Sequence, residues 1–90
     1  MQIRLVIELD QMEETNEGAA GFMTRTIELP FLPIPSMMLM IGESASWNQL
    51  IVEEVAWFHL EDVVDCRVRC CKEQDDSFAT FMQSHGWTLR

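Results

Sequence analysis

Met1, Ile3, Leu5, Ile7 and Leu9 fall on one side of a period-two pattern, with Gln2, Arg4 and Glu8 on the other. Alternation held over nine residues specifies a half-buried strand, because successive side chains in a strand point to opposite faces. The same signature returns near the other end. Val64, Cys66, Val68 and Cys70 alternate with Asp65, Arg67, Arg69 and Cys71. Two such strands need neighbours on both edges and a cover for the apolar face.

Between them the chain offers further strands. Met23, Arg25, Ile27 and Leu29 alternate with Thr24, Thr26 and Glu28, and Thr and Ile suit a pleated surface. Pro30, Pro33 and Pro35 follow directly, and they remove three ladder donors and bias the residues before them toward extended backbone. Residues 30–35 are therefore expected as an edge or an extended crossing. Ser36–Ile41 is expected as a short strand buried on both faces, ended by Gly42 and a turn at residues 43–46. Residues 10–21, with Glu13, Glu14, Glu17, Gly18 and Gly21, break all periodicity. They predict a mobile acidic loop near 10–22.

Two patterns compete over Trp47–Leu60. Ser46 and Gln49 have capping-box spacing, and Trp47, Leu50, Ile51, Val55 and Phe58 would share a helical face. Against this stand the β-branched Ile51, Val52 and Val55 and the aromatic pair Trp57-Phe58. The strand at Val63–Cys71 also needs a partner, and Glu61-Asp62 supplies a turn. A hairpin of Ile51–Leu60 with Val63–Cys71 is the expectation. At the C-terminal end Asp75, Asp76 and Ser77 offer helix caps. Phe78, Phe81, Met82 and His85 then make one apolar stripe, and Gly86 sits where a left-handed cap belongs. Trp87, Thr88 and Leu89 return as a short edge strand.

The expected architecture is one α+β domain over residues 1–90: a small, mostly antiparallel sheet of four to five strands with a C-terminal helix packed on it. The alternative is a small SH3-like or OB-like β-barrel. A length of 90 residues suits one modest core.

Charge narrows the function. Fifteen acids stand against five arginines and one lysine, a net charge of −9. Gripping nucleic-acid phosphates needs clustered cations, so direct nucleic-acid binding is not expected, and an anionic membrane would repel the chain. No signal peptide or spanning segment is evident, and the most apolar stretch, residues 29–41, is interrupted by its prolines. Cys66, Cys70 and Cys71 crowd into six residues and do not form a secreted disulfide framework. Reduced thiols in a cytoplasmic protein are the expectation.

No constellation points to catalysis or to a cofactor. Cys66 and Cys70 share a strand face about 13 Å apart, from a rise of ~3.3 Å per residue, too far to hold one metal ion with His85. His59 and His85 have no nucleophile placed beside them by any motif, and the four glycines are scattered. The pairs Glu13-Glu14, Glu53-Glu54 and Asp75-Asp76 are adjacent, so on strands they would point to opposite faces. They read as solvated surface charge.

The least ordinary segment is the proline stretch and the methionines after it. Its structural reading lays Phe31, Leu32 and Ile34 across the core. Its functional reading is a recognition edge, in which Phe31, Leu32, Ile34, Met37, Met38 and Trp47 meet a protein partner or a second copy. The chain is thus expected to be a small non-enzymatic interaction module. The competing reading takes the acidity as the active feature: an inhibitor that mimics nucleic-acid phosphates and blocks a basic protein.

Overall fold

The computed structural model describes residues 1–9, 21–42 and 46–89, with only the backbone of Ser46. The acidic loop expected near 10–22 lies outside the described residues except for Gly21 and Phe22. Six strands form one sheet: β1 (Gln2–Glu8), β2 (Phe22–Glu28), β3 (Met38–Met40), β4 (Gln49–Phe58), β5 (Val63–Cys70) and β6 (Thr88–Leu89). The one α-helix among the described residues is α1 (Phe78–Ser84). The class is α+β, but the sheet is larger than the sequence suggested and mixed in direction. Its order is β3-β4-β5-β1-β2-β6, and the central pair β1–β5 is parallel. It stays open, with β3 and β6 at its two edges, and does not close into a barrel.

The alternating segments became strands as their periodicity requires. Ile3, Leu5 and Ile7 of β1 lie beside Val64, Cys66 and Val68 of β5, and all six are buried. Met23 on β2, Leu39 on β3 and Leu50 and Val52 on β4 extend the same face. Residues 47–60 resolve as a short 3-10 turn (Ser46–Asn48) running straight into β4, so the strand pattern prevails over the helical one. The partner supplied by β5 decides it, since a paired strand satisfies backbone groups that an isolated amphipathic turn would expose.

Two segments cover the apolar face. Leu29 and Met38 stand on opposite sides of β1, β5 and β4, a span of roughly 19 Å at ~4.8 Å per strand. Residues 30–34 cross it as irregular chain, and a turn at 34–37, closed by the Met37 N–H on the Ile34 carbonyl with Ser36 at φ +77°, brings it to β3. Pro33 is buried on the way, and Leu29 and Met37 pack against the core at either end. Helix α1 covers the rest, burying Phe78 and Met82. Its stripe is the expected one, except that His85 is exposed. Gly86 takes φ +95°, the left-handed conformation that ends the helix, and buried Trp87 leads into β6. No helix among the described residues is long and apolar enough to cross a membrane.

β3 departs from expectation. Only Leu39 is buried; Met38 and Met40 are 55% and 53% exposed, because nothing among the described residues covers the second face of the sheet.

Candidate interaction surface

The uncovered face carries Arg4 and Val6 from β1, Phe22 and Thr24 from β2, Glu54, Ala56 and Phe58 from β4, and Asp65, Arg67 and Arg69 from β5. Cross-strand pairs of opposite charge organise its centre. The Arg4 Nε–H donates to Asp65 Oδ1 at 2.6 Å, and its second arm reaches Glu61 at 3.2 Å. The Asp65 hydrogen bond raises the Arg4 pKa above its ordinary value and outweighs the opposing effect of partial burial. Arg67 pairs with Glu54 and Arg69 with Glu53, each at 3.3 Å. These pairs are exposed and each contributes little to stability, but they neutralise charge on an otherwise acidic surface.

The last two pairs correct an expectation. Glu53 and Glu54 do not point to opposite faces. A β-bulge between Val52 and Glu54 inserts an extra residue, so both carboxylates reach arginines on the open face. A shallow depression of about 210 Å³ lies between the charged pairs, lined by Val6, Phe22, Ala56 and Phe58 among others.

Further exposed apolar side chains lie on both faces near β3 and β4: Met38, Met40 and Phe58 on the open face, Trp57 on the opposite one. Among the exposed large hydrophobic residues that the structure describes, all but Met1, Phe22 and Leu89 belong to β3, to β4 and its turn, or to the proline crossing. Phe31, Leu32, Ile34 and Met38, which the sequence singled out, are in this group, 44–57% exposed. The structural reading of the crossing fails for those three side chains: Pro33, not its neighbours, faces the core.

Two residues singled out with them sit elsewhere. Met37 is half-buried against the core, and its carbonyl accepts the Val52 N–H. Trp47 is buried at 7% exposure, with its ring edge-on to Phe78 and Phe81 at 5.4 and 5.1 Å. Its Nε1–H donates to the Glu73 carbonyl, and the Lys72 ammonium lies over its ring at 4.3 Å. Trp87 is buried as well. Neither tryptophan belongs to the surface patch.

The exposed indole is Trp57, which sequence reasoning passed over along with Phe58 and Leu60. A signal was present. Adjacent aromatics on a strand point to opposite faces, so Trp57-Phe58 cannot both enter one core. His59 stands edge-on to Trp57 at 5.5 Å.

The cysteines are free and graded in exposure: Cys66 buried, Cys70 intermediate, Cys71 exposed. Burial pushes the Cys66 thiol up to about 11. His85 Nδ1 lies 2.8 Å from the Phe81 carbonyl oxygen and its ring stacks on Phe81, which ties it to its own helix end. Among the described residues, no three His, Cys, Asp or Glu side chains converge as a metal site. Comparison of the chain with protein-family models, curated proteins and solved structures gives no significant match.

Proposed function

We propose that the protein is a small non-enzymatic interaction module whose docking surface is the apolar β3–β4 side of the sheet. The observation that supports this is the exposure of Met, Phe, Leu, Ile and Trp side chains on β3, on β4 and its turn and on the proline crossing, beside an open sheet face whose cations Arg4, Arg67 and Arg69 are already paired. Contiguous apolar surface rimmed by polar groups characterises protein-binding sites, and methionine and aromatic side chains supply adaptable contact area there.

The test compares capture of partners by the tagged full chain with capture by two variants. Phe31→Ser with Met38→Ser removes apolar surface at exposed positions and should keep the native circular dichroism, which is checked first. Glu13→Gln, Glu14→Gln and Glu17→Gln together lower the acidity. A module loses its partner in the first variant, keeps it in the second, and holds it at high salt. Loss only in the second, with release at high salt, would replace the module with an acidic inhibitor of a basic protein.

A further inference from the structure

On the reading of the β3–β4 side as a docking surface, we infer that the occupant is a second copy of this chain, joined by antiparallel pairing of the lower half of β4 about a two-fold axis at Ala56. The argument begins with backbone geometry. Residues 63, 65 and 67 of β5 pair with Phe58, Ala56 and Glu54, and the Cys71 N–H closes the same ladder on the Gln49 carbonyl. Backbone groups alternate sides along a strand, so Val55 and Trp57 direct theirs away from β5. On that outer side β3 reaches only residues 49–51, and residues 36 and 37 bond Val52. Nothing among the described residues pairs with β4 beyond Val52.

An unpaired edge invites another strand unless the sequence blocks it. At the upper end it is blocked: the bulge and its charged extra residue, Glu53, disrupt pairing. Val55, Ala56, Trp57 and Phe58 hold no proline, lysine or inward charge. The opposite edge is β6, only two residues long, and the outer side of β2 beyond Thr24, where Arg25 and Glu28 place charge.

Self-pairing about Ala56 is complementary in register. It sets Val55 across from the second copy's Trp57, an aromatic–β-branched pair, and Glu54 across from its Phe58, with no like charges opposed. Glu54 already has Arg67 as its counter-ion. Area also suits a second copy. Trp57, Phe58 and Leu60 are 60%, 45% and 94% exposed. Together they offer on the order of 400 Å² of apolar side chain per copy, before the edge backbone is added, against ~800 Å² per partner in a standard interface. The size fits a reversible dimer. Both copies carry a net charge of −9, so screening strengthens this association, whereas it would weaken binding to a basic protein.

Sedimentation of the full chain from about 5 to about 500 µM, at roughly 0.05 and 0.5 M salt, reads the outcome. The expected result is a concentration-dependent dimer favoured by the higher salt. Val55→Pro deletes an outward N–H, which an edge strand tolerates, and Ala56→Lys sets two lysines against each other at the axis. Both variants should sediment as monomers while keeping the native circular dichroism. In the unaltered chain, the Val55 and Trp57 amides should exchange at least ~10-fold more slowly at the high concentration, with the Ala56 amide unchanged. A chain that stays monomeric throughout, or a dimer indifferent to Ala56→Lys, overturns the second-copy inference. A monomer that still loses a salt-resistant partner through Phe31→Ser and Met38→Ser leaves the module reading standing.

Discussion

Trp47 joins sheet, helix and the 71–74 segment through contacts of different kinds: two edge-on rings, a hydrogen bond to a backbone carbonyl, and a cation over its face. Trp47→Ala should cost about 3–5 kcal/mol by urea unfolding, the range for a buried aromatic cut to Ala. Trp47→Phe should cost less, since it keeps most of the packing and gives up the Glu73 hydrogen bond. Cys66 gives a pH signature. Its folded pKa of about 11 lies above its ordinary 9.0, so the native state is fully supported below 9.0 and loses stability as pH rises through that window. The loss should be on the order of 2–3 kcal/mol, and Cys66→Val should remove it from an alkaline unfolding series. In the same range a thiol reagent should label Cys71 well before Cys66.

Elements were legible wherever alternation was strict, as in β1 and β5, because period two is a property of one strand alone. Their parallel pairing was not legible, since alternation names a face and leaves the neighbour open. The bulge in β4 was invisible for a related reason: it is a mismatch between two strands. The exposure of Met38, Met40 and Trp57 depends on which parts of the sheet lack a cover, and that is settled far away in sequence. The entry to α1 shows a smaller difference. Ser77 makes no side-chain cap; the Asp75 carboxylate accepts both the Ser77 hydroxyl and its N–H. Those bonds, the hydroxyl's first, lower the Asp75 pKa. Their contribution is present above the ordinary value of 3.8 and is lost as pH falls through the folded value. In Asp75→Asn the acid limb of a stability profile should flatten accordingly. At the other end of α1, Gly86→Ala forces a side chain into φ +95° and should cost about 1–2 kcal/mol in thermal unfolding. The Arg25 side chain, 3.6 Å from the added Cβ, is in ordinary contact and adds no clash.

At the scale of the molecule, the sheet has two unlike faces, one covered by the proline crossing and α1, the other left uncovered by the described residues and ruled by ion pairs. Every cation in those pairs is matched, so the net charge of −9 is uncompensated carboxylate, and it repels itself in the folded state. Raising salt from about 0.01 to about 0.3 M should therefore raise the melting temperature, because relief of the repulsion outweighs weakening of the exposed pairs. The parallel β1–β5 pair at the centre of the sheet has a consequence in time. Arg4 and Asp65 are 61 positions apart, so the pairing on which the other strands depend is among the least local in the chain. The β1–β2 and β4–β5 hairpins can form early and separately. Each then presents one bare apolar face until the two dock, so the slowest folding step is a meeting of preformed halves, and a crowded or truncated chain has its greatest chance of going astray while they wait.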